Sequence, residues 1–123
     1  METPSYFEKG ENYACFRPVA HVSLKEGVDM ISAVIAYCGE EEIPRLLVNI
    51  AGLTGYKLPE TMDRYSMGAQ FASSAKFGLK VVLVAPPEVI DPNRFGVTVA
   101  RNRGLDSNVF SSEPEAIAWL LTQ

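Results

Sequence analysis

Hydrophobic positions in this chain fall into short unbroken runs and helical stripes that alternate. The two strongest runs are Leu46-Leu47-Val48-Asn49-Ile50 and Lys80-Val81-Val82-Leu83-Val84-Ala85. Runs this apolar predict strands buried on both faces, as in a parallel sheet. The first passes directly into Ala51-Gly52-Leu53-Thr54-Gly55, and Pro86-Pro87 ends the second. Ser23-Leu24-Lys25-Glu26 forms a capping box, and Leu24, Val28, Ile31, Ile35 and Cys38 follow on one helical face, with Gly39 as the stop. Glu40-Glu41-Glu42 then reads as a solvated loop. A second helix is predicted from Pro59 to Lys76, broken by Gly78. Its apolar residues lie on two nearly opposite faces, Met62/Tyr65/Ala69/Ala72 and Met67/Phe71/Ala75, which predicts burial on both sides. A third helix has Asp91 as cap, Pro92 at the first position and Gly104 after the last turn. Ser107 to Phe110 reads as a strand, and the capping box Ser112-Glu113-Pro114-Glu115 opens a last helix through Ile117, Trp119, Leu120 and Leu121. At the start, Ser5–Glu8 and Tyr13–Arg17 predict a hairpin around Lys9-Gly10-Glu11-Asn12. Strands alternating with helices after a hairpin predict an α/β domain spanning residues 1–123, with a mixed, mostly parallel sheet and helical cover.

Composition narrows the class. A chain of 123 residues that is 47% hydrophobic can bury one core without metals or disulfides. A net charge of −4 argues against a nucleic-acid backbone as partner, which calls for a basic surface. No apolar run approaches the ~18–20 residues of a membrane helix. The opening METPSYFEKGE lacks the build of a signal peptide, so a cytoplasmic location is expected. Cys15 and Cys38 then read as reduced core thiols, with no C-x-x-C to suggest redox or metal chemistry.

Candidate chemistry is sparse. An open α/β fold places its site past the carboxyl end of a strand, which here means residues 51–55 followed by Tyr56 and Lys57. The segment Gly52-Leu53-Thr54-Gly55 matches neither G-x-G-x-x-G nor the P-loop pattern, and reads as a bare turn. His21, the single histidine, has no serine or carboxylate at a diagnostic spacing, and no G-x-S-x-G elbow is present. Arg94, Thr98 and Arg101 share a face at i, i+4 and i+7, with Arg103 in the last turn. Arginines there suit the negative end of the helix dipole and equally suit an anion or acidic partner. No catalytic residue, metal ligand or cofactor motif stands out, so an enzyme is the least favoured class.

The segments RLLVNIAGLTGY and VVLVAPPEVIDPNRFGVTVARNRGLDSNVFSSEPEAIAWLL resemble SpoIIAA-like proteins, the STAS/SEC14 domain family, over about Tyr13 to Leu121. The resemblance implies a STAS-like fold, a mixed sheet with four helices mainly on one face. In anti-sigma-factor antagonists of this kind, a serine opening the second helix is phosphorylated by a partner kinase, and the added charge blocks binding. The matching positions here, Lys57-Leu58-Pro59-Glu60, carry no hydroxyl in place of the Asp-Ser-small-Gly motif. Thr54, Thr61 and Ser66 are close but displaced. The same fold group resembles CRAL-TRIO domains, which enclose apolar ligands. Two expectations follow. One is a non-enzymatic regulatory module that contacts a protein partner or a second copy of itself, as a homodimer, through Thr54, Tyr56, Lys57, Leu58, Thr61, Arg64, Met67 and Phe71. On that reading Phe71→Asp breaks association and spares the fold. The other is a binder of a small apolar or acidic ligand through the same helix and loop, with Arg94, Arg101 and Arg103 as anion contacts.

Overall fold

The described residues, 2–76 and 78–122 of a computed structural model, form an α/β architecture whose mixed sheet is mostly parallel. In chain order the elements are β1 (Phe7–Lys9), β2 (Ala14–Phe16), β3 (Ala20–His21), α1 (Leu24–Glu40), β4 (Arg45–Asn49), β5 (Leu53–Thr54), α2 (Thr61–Ser74), β6 (Lys80–Val84), α3 (Phe95–Asn102), β7 (Asp106–Phe110) and α4 (Glu113–Leu120). The main sheet has the order β1-β2-β4-β6-β7. Only the β1–β2 pair is antiparallel in it; Leu46 sits opposite Val81, and Val81 opposite Ser107.

That order moves steadily in one direction from β2 to β7. A strand–helix–strand crossover is right-handed almost without exception, so the three crossover helices must share one face. They do: buried residues of α1, α3 and α2 join one core with Leu46, Val48 and Val81. The last helix, α4, follows no further strand and covers the opposite face, where Ala116 and Leu120 meet Cys15, Leu47, Val82 and Val84.

Three helices do not fit on that face. Strands lie ~4.8 Å apart, so the four parallel strands span roughly 15 Å, room for about two helices of ~10 Å diameter. The helix that gives way is α2, which packs chiefly against α3 and α1. Its approach to α3 is close: a Cβ on Gly68 would lie 2.5 Å from the Gly96 carbonyl oxygen. On the other side, Gln70 Nε2 donates to Asp29 Oδ1 (2.9 Å) and Ser32 Oγ (3.0 Å) of α1.

Several boundaries differ from the pattern-based expectation. Helix α1 has the Ser23–Glu26 capping box but continues through Gly39 to Glu40, and Glu42 takes the left-handed turn at φ 57°. Gly39 is a spacer instead of a stop, because a Cβ there would lie 3.0 Å from the Lys76 side chain. Helix α2 starts at Thr61 and ends at Ser74, two residues inside the predicted limits at each end. It is not buried on both sides. Phe71 is 7% exposed and Met67 half-buried, whereas Met62 is 72% and Tyr65 40% exposed. A helix stacked over two others has no neighbour on its outer side. Because Phe71 belongs to the core, it offers no surface to a protein partner, and Phe71→Asp would strike the fold itself.

Helix α3 begins at Phe95, four residues after Asp91. Asp91 still accepts from the Phe95 and Asn93 backbone N–H groups (2.9 and 3.2 Å), but Arg94 adopts the left-handed conformation (φ 48°) and separates Pro92 from the helix. The hairpin strands are shorter than expected, and β3 and β5 form a small parallel pair that was not expected. Both cysteines are buried and free.

Candidate functional site

Raising α2 above the sheet leaves a cavity of about 120 Å³ beneath it. Its floor is Val81 and Leu83 of β6 with Val109 of β7, and its roof is Met67 and Phe71 of α2. Ile31 and Ile35 of α1 form one wall and Ala100 of α3 the other, so the lining is almost entirely apolar. The cavity shows in the exposure of the central strand. Val81, Val82 and Val84 are buried, yet Leu83 between them is only half-buried. A central-strand leucine under helical cover should be sealed; this one faces the gap that α2 cannot fill.

Polar groups ring the cavity, and most are committed to backbone. Arg64 Nη1 donates to Val89 O at 3.0 Å, tying α2 to the segment after β6. Arg94 Nη2 donates to Val109 O at 3.1 Å. The Asp91 carboxyl is held below the ordinary carboxylate range, first by the Phe95 N–H. Tyr56 is half-buried, and burial pushes its hydroxyl pKa up, with Glu88 adding to the rise. Deep in the site, Ser107 is 6% exposed and lines the cavity. Among the described residues its Oγ is the one buried side-chain polar atom with no hydrogen-bond partner.

Of the contact residues expected from sequence, the structure brings Tyr56, Arg64, Met67 and Phe71 to the cavity. Thr54, Lys57, Leu58 and Thr61 lie outside it. Thr54 Oγ1 is 3.3 Å from Nδ1 of the exposed His21, Lys57 pairs with Asp63 at 3.2 Å, and Leu58 is 55% exposed. The three arginines do not converge. Arg94 precedes α3, so the shared helical face does not exist. Arg94 and Arg101 instead donate to the β7 carbonyls of Val109 and Ser107 (3.1 and 2.8 Å), which caps an open sheet edge. Arg103 Nη2 donates to Tyr65 Oη at 2.7 Å, and its guanidinium lies over that ring.

The turn past β4 is occupied by structure. Leu53 and Thr54 pair with Ala20 and His21, and Gly55 (φ 89°) lies against the His21 ring, where a side chain would clash. Asn49 accepts from Ala51 N–H (2.9 Å) and donates to Glu113 (2.8 Å), whose carboxylate also takes a bidentate pair from Arg17 (2.6 and 3.1 Å). The strand-end crevice of open α/β sheets arises where strand order reverses, and β2-β4-β6-β7 has no reversal.

Sequence reasoning missed Leu83 and Ser107 as cavity-lining residues. The signal for Ser107 was present: Ser107 and Val109 alternate along β7 in step with Leu105 just before it, so the serine falls on the core face. Among the described residues no group of three or more His, Cys, Asp or Glu side chains could hold a metal ion, and no helix is long and apolar enough to cross a membrane. No known protein family matches this chain, and no curated protein matches it either.

Proposed function

We propose that this chain is a non-enzymatic, STAS-like domain that binds a small, mainly apolar ligand in the cavity under α2. One observation carries the reading: an apolar gap over β6 and β7 leaves Leu83 half-buried on an interior strand under helical cover. An apolar cavity of about 150 Å³ holds a benzene-sized molecule, so 120 Å³ suits a single ring or a short chain. Arg64, Arg94 and Asp91 at the rim are hydrogen-bonded into the scaffold, and shape and water exclusion are the main things the site supplies. Three crossover helices on one face and an N-terminal hairpin support the STAS-like description.

Methyl-resolved NMR with toluene tests it. Saturable shifts are expected at Ile31, Ile35, Leu83 and Val109, with Leu47 and Val82 on the α4 side unmoved. No saturable shift, or shifts spread over both faces, would overturn the reading.

A second reading, a protein-interaction module, draws on the outer side of α2. Met62 and Tyr65 are 72% and 40% exposed there, and Leu58 just before the helix is 55% exposed. If that strip joins two copies, Met62→Glu converts a dimer to a monomer in native mass spectrometry without lowering the melting temperature. A monomeric parent protein would remove self-association from consideration.

A further inference from the structure

We infer that Ser107 is the polar anchor of the cavity, and that its ligand is a neutral small molecule with one hydroxyl or carbonyl oxygen on an otherwise apolar body. This rests on the ligand-binding reading above and names the ligand class within it. Two independent features meet at one place. One is the apolar cavity of 120 Å³; the other is a serine lining it that is 6% exposed and has an unpartnered hydroxyl. Buried polar groups are almost always hydrogen-bonded, and leaving one unpaired is costly.

Register explains why the side chain falls on the cavity face. Ser107 lies opposite Val81 in β7, and both belong to the face under α1 and α3. Its backbone carbonyl points the other way, to the sheet edge, where Arg101 Nε donates to it at 2.8 Å. An alanine or valine would fill the same position at no polar cost. A hydroxyl there finds its partner in whatever enters the cavity, and it can either donate to or accept from that group.

The same surroundings disfavour a charged head at the depth of Ser107. A carboxylate beside Ser107 would need a cation at that depth, since burying an unpaired charge is prohibitive. The cationic groups among the lining residues sit nearer solvent than Ser107: Arg94 is exposed and Arg64 half-buried, each with one N–H on a backbone carbonyl, Val109 O and Val89 O. A neutral oxygen is satisfied by one hydrogen bond from serine.

Phenol and toluene are matched probes of this arrangement, equal in size and different by one hydroxyl. Their dissociation constants, measured by methyl NMR titration, are compared in the parent protein, in Ser107→Ala, and in Ser107→Cys as a second variant of nearly unchanged volume. The expected result is that each substitution shifts the phenol-to-toluene ratio against phenol by about 2- to 10-fold, while toluene affinity holds or rises. Benzoate is expected to bind more weakly than phenol. If both probes bind and the ratio stays constant across the three proteins, the anchor is wrong and the cavity reading stands. If benzoate binds more tightly than phenol, the neutral-ligand assignment is wrong. If neither phenol nor toluene binds any of the proteins, the cavity reading and the anchor fall together.

Discussion

Replacing Leu83 with phenylalanine distinguishes a packed sheet face from one that carries a cavity. The change adds three carbons to a side chain that is half-buried in β6 and faces the gap under α2. At about 24 cal/mol per Å³, a void of 120 Å³ withholds up to ~3 kcal/mol of packing. At ~0.8 kcal/mol per buried carbon, the three new atoms recover at most ~2 kcal/mol. Ring orientation lowers that, and a gain of about 0.5–1.5 kcal/mol is expected. The same substitution at Leu47 is the control. Leu47 is fully buried on the α4 face, and enlarging a residue in a filled core costs about 1–3 kcal/mol. The two variants therefore move stability in opposite directions although both put phenylalanine in a central strand. Urea denaturation reads this directly, as midpoints shifting apart at constant m-value. Leu83→Phe should also abolish toluene binding. Equal destabilisation by the two substitutions would show that no usable space lies over Leu83, and the ligand-binding reading would go with it.

Glycine-to-alanine changes in α1 and α2 should differ in sign. Gly27→Ala places its Cβ no closer than 3.6 Å to Val22 and gains up to ~1 kcal/mol from helix propensity, whereas Gly68→Ala meets the Gly96 carbonyl at 2.5 Å and lowers the melting temperature. In acid, Glu113 sets one part of the response. Its carboxyl is held below the ordinary value of 4.5, first by hydrogen bonds from Arg17 and then from Asn49. Its contribution is therefore complete above that pH and is lost as pH falls through the lower folded value. Glu113→Gln should flatten stability over that window by less than ~1 kcal/mol, because Arg17 is 44% exposed and screened by solvent. Burial pushes the Cys38 thiol up to about 12 and raises Cys15 as well, so neither should react with a thiol reagent at pH 8 faster than the protein unfolds. Native-state hydrogen exchange should find α2 opening more readily than α1. Only Gly68 and Phe71 of α2 are buried, against eight residues of α1, and equal protection in the two helices would contradict the layered packing.

The strands of the main sheet and the starts of α1 and α4 were legible because they rest on local signals. The apolar runs at Leu46 and Val81 admit little else, and the Ser23–Glu26 box caps α1 as its spacing requires. The errors share a cause, which is packing that no local window contains. Gly39 looks like a helix stop until the Lys76 side chain is seen against it. Asp91-Pro92 looks like a helix start, but Arg94 turns left-handed so that its guanidinium reaches Val109 O on β7. In α2, Met62 and Phe71 are both apolar, and nothing in their spacing says which side is covered. That depends on how many helices the sheet can seat. The site was half legible for the same reason. Met67 and Phe71 stood out on the helix, but Leu83 is one apolar residue among many in its strand until its exposure is known.

The expectation that a site lies past the end of β4 and the finding that the cavity lies under α2 come from one topological fact. A doubly wound sheet reverses its strand order, sends crossover helices to both faces and opens a crevice at the reversal. This sheet does not reverse. With no reversal, handedness sends α1, α2 and α3 to one face, and the ends of β2 and β4 are free to be closed by Arg17, Asn49 and Glu113. Crowding three helices over four parallel strands then moves the unfilled volume from the strand ends to the middle of the helical layer. The position of the cavity is thus a consequence of strand order. Its chemistry is set separately, by the few side chains beneath α2, and among these Ser107 is the one whose polar atom the fold itself leaves unanswered.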